Sequence, residues 1–216
     1  MKAPGGGEVQ DMSCQTLSLG CNSPHLQGFQ HLLPTEMLVE WCGMSHINIE
    51  IKARCRDQER IRNLLRQQGA DFRGTDHQID TYFLVSQGRL KLREGSIENA
   101  LVYYERSDQA GPKQSDVVLM KNERSSSLKE ILTRSIGIRV VVDKVREIYF
   151  IENVKFHLDA VDQLGLFVEI EAIDFDGTVG VQKLTQQCQI YLDLFGIHME
   201  DLLSESYSDM LIREVS

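Results

Sequence analysis

Residues His46–Arg54 alternate without a break between apolar and polar side chains. The apolar positions are Ile47, Ile49, Ile51 and Ala53, and the polar positions are Asn48, Glu50, Lys52 and Arg54. Period-two alternation predicts a β-strand with one apolar face. Taken alone, its charged face is typical of a strand exposed to solvent. Later segments repeat the pattern, and this repetition changes the interpretation.

Seven further segments alternate in the same way or are rich in β-branched residues, and each predicts a strand. They are His77–Phe83, Gly88–Glu94, Ala100–Arg106, Asp116–Glu123, Ile138–Phe150, Asn153–Asp159 and Leu166–Ala172. The polar stretch Ser107–Ser115 between two of them is expected to be a loop. Several of these strands carry like charges on one face, which costs stability unless an anion or water compensates.

Three segments show helical spacing instead. Asp57 is a plausible N-cap and Gly69 a C-terminal stop for the first helix, and the capping box at Ser127 opens a second helix that ends at Gly137. Val179–Phe195 is amphipathic, and a shorter helix or tail follows from Met199. Strands joined by turns, with few helices, predict an antiparallel α+β domain.

Composition limits the interpretation. The chain has 216 residues, 42% hydrophobic and 25% charged, which suits one globular domain with a tail. Residues 1–43 hold scattered Gly, Pro and Ser without periodicity and predict a disordered or weakly ordered leader, whereas residues 44–216 form the domain. Neither a membrane span nor a secretory signal is seen, so a cytoplasmic location and no membrane partner are expected.

Charge and cysteine spacing exclude two further classes. The net charge of −9 argues against nucleic acid as a partner, because duplex binding needs a broad basic surface. Five cysteines at irregular spacings predict free thiols rather than disulfides or a zinc site. The basic residues are concentrated on strand faces, where an acidic protein could hold a small polyanion.

The charged strand faces allow two arrangements. In an ordinary sandwich they would face solvent, whereas in a closed barrel they would line a polar interior. A polar interior requires a charged ligand, since uncompensated buried charge is costly. Several Lys and Arg side chains suit phosphate oxygens, and Glu169 and Glu171, about 7 Å apart on one face, suit a shared cation. Together they indicate a polyphosphate with Mg²⁺ or Mn²⁺, without a P-loop motif.

The chain from Met44 to about Leu211 resembles a CYTH domain of the triphosphate tunnel metalloenzyme superfamily, and within it the class IV adenylate cyclase (CyaB-type) branch. The resemblance rests on the stretches N-I-E-I-K-A-R, H-Q-I-D-T-Y-F, G-R-L-K-L-R-E, V-D-K-V-R, N-V-K-F-H-L-D and L-G-L-F-V-E-I-E. It implies an eight-stranded antiparallel β-barrel, the triphosphate tunnel, with flanking helices. The tunnel would bind a small-molecule triphosphate or nucleotide together with a divalent metal.

The resemblance also implies roles for individual residues. The metal ligands would be Glu50, Glu169 and Glu171, and the phosphate-binding residues would be Lys52, Lys91, Arg93, Arg106, Lys144 and Arg146. Glu50, Lys52 and Asp159 would be catalytic, Asp159 by helping to place metal or water. His157 is weighed as a proton carrier, although a lone strand histidine is more often structural, and Arg54 and Lys155, near strand ends, are expected to be solvated.

One position departs from the family pattern. The signature E-x-E-x-K has Asn48 in place of its first glutamate, and a neutral amide would weaken or change a second metal site. Three functions therefore stay open: a metal-dependent hydrolase of inorganic triphosphate or thiamine triphosphate, an adenylate cyclase, and a module that only binds polyphosphate or nucleotide. A homodimer is compatible with each of them.

Overall fold

The computed structural model describes residues 45–123 and 126–215. The predicted leader, residues 1–43, lies outside these residues. The elements in chain order are β1 Ser45–Arg54, α1 Gln58–Gln67, β2 Asp71–Phe83, β3 Arg89–Glu94, β4 Asn99–Arg106, β5 Lys113–Lys121, α2 Ser126–Ile136, β6 Ile138–Ile151, β7 Val154–Val161, β8 Gly165–Asp174, α3 Val181–Phe195, a short 3₁₀ helix Met199–Asp201, and α4 Tyr207–Val215.

The eight strands form one closed antiparallel barrel in the order β1-β5-β4-β3-β2-β6-β7-β8. Strand β1 pairs with β5 on one side and with β8 on the other, so the first and last strands close the barrel. The predicted eight-stranded antiparallel barrel with flanking helices is therefore confirmed. Of the two arrangements left open by the strand pattern, the closed barrel is the correct one.

The apolar faces of β1, β7 and β8 point outward and are covered by helices. Ile51 of β1, Phe156 of β7 and Ile170 of β8 belong to one buried cluster with Leu65 of α1 and Leu184 of α3. The opposite face of β1 points into the barrel, where Asn48 and Lys52 are also buried. The alternation of β1 thus separates a helix-covered outer core from a polar interior, which is called the tunnel below.

Helix α4 covers part of the barrel interior. Its Tyr207, Met210 and Leu211 pack with inward-facing apolar residues that include Val102 of β4 and Val142 of β6. These apolar positions lie on the same strand faces as the charged ones, since side chains two residues apart on a strand share a face. The tunnel therefore has an apolar part filled by α4 and a polar part lined by charged residues.

Several boundaries differ from those predicted. Strand β2 begins at Asp71 rather than His77, because an irregularity between Phe72 and Gly74 interrupts the alternation there. Strand β5 begins at Lys113 inside the predicted loop, since its inward positions are polar and do not read as a half-buried strand. Ser127 lies within α2, which begins one residue earlier.

Two other expectations can be compared with the described residues. Asp57 caps α1 as predicted, accepting a hydrogen bond from the backbone N–H of Arg60 at 2.9 Å. Cys55 and Cys188 are buried free thiols. In the part of the chain that the structure covers, no helix is long and apolar enough to cross a membrane.

Candidate active site

The first group of tunnel residues surrounds Asp80 of β2. Its carboxylate accepts from Lys91 Nζ at 3.2 Å, from Arg93 Nε at 2.8 Å and from Lys144 Nζ at 2.7 Å. These side chains meet because β2 pairs with β3 on one side and with β6 on the other. We call these four residues the Asp80 cluster.

The Asp80 cluster is almost completely buried, and this shapes its charges. Burial alone would raise the pKa of Asp80, but Arg93, Lys144 and Lys91 hold that pKa well below its usual range. Burial, followed by repulsion from Arg146, lowers the pKa of Lys144 to about 7 despite the attraction of Asp80. One carboxylate therefore faces three cationic side chains, which leaves room for an anion to satisfy the remaining positive charge.

The second group surrounds Glu169 of β8. Its carboxylate lies 2.6 Å from Lys52 Nζ, 2.7 Å from Arg146 Nη2 and 3.1 Å from His157 Nδ1. The register places Glu169 opposite Lys52 of β1 and opposite His157 of β7. Burial would raise the pKa of Glu169, but Lys52 and Arg146 hold it well below its usual range. We call these four residues the Glu169 cluster.

Asp159 is attached to this cluster through Arg146. Arg146 donates to both carboxylate oxygens of Asp159, from Nε at 2.7 Å and from Nη2 at 2.5 Å. The hydroxyl of Tyr207 donates to Asp159 Oδ2 at 2.9 Å, while the Tyr207 ring lies 3.7 Å from Lys52 Nζ. Asp159 and Tyr207 thus fix the orientation of two cationic side chains that were predicted to bind phosphate.

A third group lies where β1, β5 and β4 meet. Arg106 Nη1 contacts Glu50, and Lys113 Nζ lies 4.0 Å from the same carboxylate. Lys113 also donates to the carbonyl oxygen of Leu203 at 3.1 Å, which ties the segment before α4 to the barrel. Burial, followed by repulsion from Arg106 and Lys52, lowers the pKa of Lys113 to about 7.

The tunnel also contains a donor set that fits a divalent metal. His157, Glu169 and Glu171 each offer a ligand atom, and these atoms lie within 4.8 Å of one another. Two carboxylates and an imidazole are ligands that divalent cations accept. Among the described residues His157 Nε2 is buried without a hydrogen-bond partner, which is consistent with a side chain that serves a ligand.

The structure brings most of the residues selected from the sequence to the tunnel wall. Glu169 and Glu171 meet as expected, whereas Glu50 lies opposite Glu171 in the β1–β8 register but contacts Arg106 instead of joining the metal donor set. All six cations named for phosphate binding make ion pairs with inward-facing carboxylates. The roles assigned to these residues stay predictions.

Other side chains of the tunnel were not selected from the sequence. Asp80 lies in a strand with ordinary alternation and was not selected, and Lys113 was placed in a predicted loop. Glu98 lies between strands, where it pairs with Arg93 at 2.7 Å. The expectation that Lys155 is solvated is wrong, because its ammonium pairs with Glu98 at 2.5 Å and its side chain is 13% exposed. Arg54 is exposed, as expected.

Known proteins support the same architecture. The sequence profile of the CYTH domain family matches residues 46–204, which is most of the chain. The chain belongs to the CYTH domain family. This agrees with the resemblance seen in the strand motifs.

Individual proteins similar to this chain are distant in sequence and similar in extent. A protein of Methanocaldococcus jannaschii, provisionally named an adenylate cyclase, is 24% identical over 173 residues, covering 76% of this chain and 98% of the relative. A solved structure from Pyrococcus horikoshii OT3 is 26% identical with a TM-score of 0.66, covering 75% of this chain and 98% of that one. A structure from Vibrio parahaemolyticus at 18% identity has a TM-score of 0.65, covering 78% and 99%, and shows the fold alone.

Proposed function

We propose that the chain is a divalent-metal-dependent phosphohydrolase that acts on a small triphosphate, either inorganic triphosphate or thiamine triphosphate. The observation that carries this proposal is the coexistence, inside one closed barrel, of the cationic Asp80 cluster and the metal donor set His157, Glu169 and Glu171. Cations alone would suit any anion. Cations together with an acidic metal site suit a polyphosphate that enters with its metal.

In this proposal the cations bind and orient the anion. Phosphate oxygens are held from β3 and β6 by Lys91, Arg93 and Lys144. Arg146 of β6 also holds them, and its orientation is fixed by its two hydrogen bonds to Asp159. Arginine can form two parallel hydrogen bonds to a phosphate, which fixes orientation as well as position. Lys52 Nζ lies 2.6 Å from the metal donor Glu169, and its charge would stabilise the negative charge that develops on the transferred phosphoryl group.

The metal would be held by Glu169, Glu171 and His157, with Glu50 beside them on β1. When bound, Mg²⁺ or Mn²⁺ would polarise the phosphoryl group and lower the pKa of an attached water. Asp159 serves as a positioning residue, since both of its oxygens are engaged by Arg146 and Tyr207. The protein's own contribution is thus the alignment of the anion inside a site that excludes bulk water.

Adenylate cyclase is a second candidate, in which the same clamp would hold ATP while its 3′-hydroxyl attacks the α-phosphate and pyrophosphate leaves. Two observations favour it. The M. jannaschii relative is provisionally named for this activity, and its match spans 98% of that protein. In addition, Tyr82 and Tyr104 face the tunnel near Lys91, where an aromatic ring could stack on a base.

A product-resolved turnover assay separates these functions. The full chain is incubated with inorganic triphosphate, thiamine triphosphate or ATP, each with Mg²⁺ or Mn²⁺, and orthophosphate, pyrophosphate and cyclic AMP are quantified. Orthophosphate production that falls by about 10- to 100-fold in Glu169→Gln but is unchanged in the exposed control Glu200→Gln is the expected result. Formation of cyclic AMP from ATP would show that the chain is a cyclase rather than a hydrolase. Binding of a triphosphate without any product would show that it is a binding module.

A further inference from the structure

Three polar side chains face the tunnel in one row across three neighbouring strands. Ser115 of β5 lies opposite Asn48 of β1 on one side and opposite Arg106 of β4 on the other. Directly opposite residues of antiparallel strands bring their Cβ atoms to about 5 Å. The three side chains are therefore immediate neighbours, and we call them the Ser115 row.

The Ser115 row is buried, yet most of its polar atoms are unused. Asn48 is 6% exposed, Ser115 is 1% exposed and the Arg106 side chain is 3% exposed. Within residues 45–123 and 126–215, Asn48 Oδ1, Ser115 Oγ and the Nε and Nη2 atoms of Arg106 are buried without a hydrogen-bond partner. Buried polar groups nearly always have partners, because leaving them without one costs free energy. Three of these four atoms, Ser115 Oγ and the Nε and Nη2 atoms of Arg106, can donate, and donors side by side indicate a ligand that supplies acceptor oxygens.

The chemistry of the row selects a phosphoryl group. The Nε–Nη2 edge of a guanidinium fits two oxygens of a phosphate, and a serine hydroxyl can donate to a third. Lys113 stands one inward position from Ser115 on the same strand and adds positive charge. Asn48 contributes a neutral amide to the row, so its position does not repel an anion as a carboxylate there would.

The row is also separated from the Asp80 cluster along the barrel. In the β3–β4 register Lys91 lies opposite Val102, and Arg106 lies four residues further along β4. Four residues of an extended strand correspond to about 13 Å. Long side chains at the two positions can contact opposite ends of one extended polyphosphate.

We infer that the Ser115 row is the subsite for the terminal phosphoryl group of the triphosphate, and that it makes the tunnel selective for anion length. This inference rests on the proposed function. A pyrophosphate is one phosphoryl unit shorter, so it satisfies the Asp80 cluster without engaging the row. A triphosphate engages both, and its last phosphate supplies acceptor oxygens for the Ser115 hydroxyl and for the Nε and Nη2 atoms of Arg106.

The test is isothermal titration of the full chain with inorganic tripolyphosphate and with pyrophosphate, at one fixed Mg²⁺ concentration. The variants are Ser115→Ala and Arg106→Lys, and the control is Gln114→Ala on the exposed face of the same strand. Both variants are expected to bind tripolyphosphate about tenfold more weakly or worse, because hydrogen bonds to charged groups are lost. Their affinity for pyrophosphate is expected to stay within about twofold of the wild type.

Thermal unfolding without ligand provides the second readout. Ser115→Ala removes a buried hydroxyl that has no partner, so its Tm is expected to equal or exceed that of the wild type. If the variants bound both anions equally more weakly, or bound tripolyphosphate as tightly as the wild type does, the inference would be overturned while the proposed function stayed intact. A folded wild-type chain that binds no tripolyphosphate would overturn the proposed function, and the subsite with it.

Discussion

Replacing Asp80 by asparagine removes one negative charge from the centre of the Asp80 cluster. Asp80 is 1% exposed, and Lys91, Arg93 and Lys144 all donate to it at 3.2 Å or less. The amide keeps the shape of the side chain but cannot balance three cationic groups. The ligand-free variant therefore contains buried cations that repel one another, and it is expected to be less stable than the wild type.

The size of this effect follows from the burial of the cluster. Removing one partner of a buried ion pair costs about 3–5 kcal/mol, because an uncompensated charge is left behind. For a domain of this length, each kcal/mol lowers Tm by about 2–4 °C, so a fall of roughly 6–20 °C is expected. Arg93 also pairs with Glu98 at 2.7 Å, which places the expected loss toward the lower end of this range.

A bound triphosphate should reverse this loss. Its oxygens supply the negative charge that the substituted amide lacks, so tripolyphosphate is expected to raise the Tm of Asp80→Asn more than that of the wild type. Differential scanning fluorimetry with and without tripolyphosphate measures both shifts. Asp116→Asn, on the outer face of β5, is the matched control and should behave as the wild type. If Asp80→Asn were as stable as the wild type, or gained no extra stabilisation from the anion, the reasoning would be refuted.

Three further predictions concern other groups of the tunnel. Burial and Arg146 lower the pKa of Lys144 to about 7, while Asp80, Lys91 and Arg93 face the same ammonium. The affinity for tripolyphosphate should therefore fall as pH rises above 7 and this lysine loses its proton. Binding titrations between about pH 6.5 and 8.5 should show a flatter pH profile in Lys144→Arg, because its guanidinium stays charged. Glu169→Gln should lower turnover by about 10- to 100-fold and raise the Mg²⁺ concentration needed for half-maximal rate, and an unchanged Mg²⁺ dependence would contradict the metal assignment. Tyr207→Phe removes the hydrogen bond to Asp159 but keeps the ring near Lys52, so urea unfolding should show a loss of about 1 kcal/mol, and a loss above about 3 kcal/mol would contradict this account.

Much of the fold could be predicted because one periodicity runs through nearly every strand. The alternation around Glu50 and Lys52 predicted which side chains share a face, and the family resemblance implied that this face lines the tunnel. The boundary of β5 was missed for the same reason, since an inward face made of Lys113 and Ser115 does not look apolar. A strand whose interior position is polar lacks the signal on which strand prediction depends.

The partners inside the site were harder to predict. Asp80 and Lys144 are 64 residues apart, and they meet only because β2 pairs with β6, a neighbour relation that local sequence does not encode. Glu98 lies between two strands, where period-two alternation assigns no face. His157 was weighed as a proton carrier from the sequence, but its contact with Glu169 depends on the β7–β8 register. The sequence identified many of the charged residues but not Asp80, Lys113 or Glu98, and the strand order determines which of them meet.

The pairing of β1 with β8 has a consequence for how the protein acquires activity. Ile47 lies opposite Asp174, and Lys52 lies opposite Glu169, so this seam joins residues more than a hundred positions apart. Contacts between such distant residues form slowly, because a long loop must be ordered first. The Lys52–Glu169 ion pair spans the seam itself. The metal donors His157, Glu169 and Glu171 share the β7–β8 hairpin, whereas Lys52 reaches them only when the two ends of the domain meet. Recovery of triphosphate binding during refolding would therefore report the closing of the barrel.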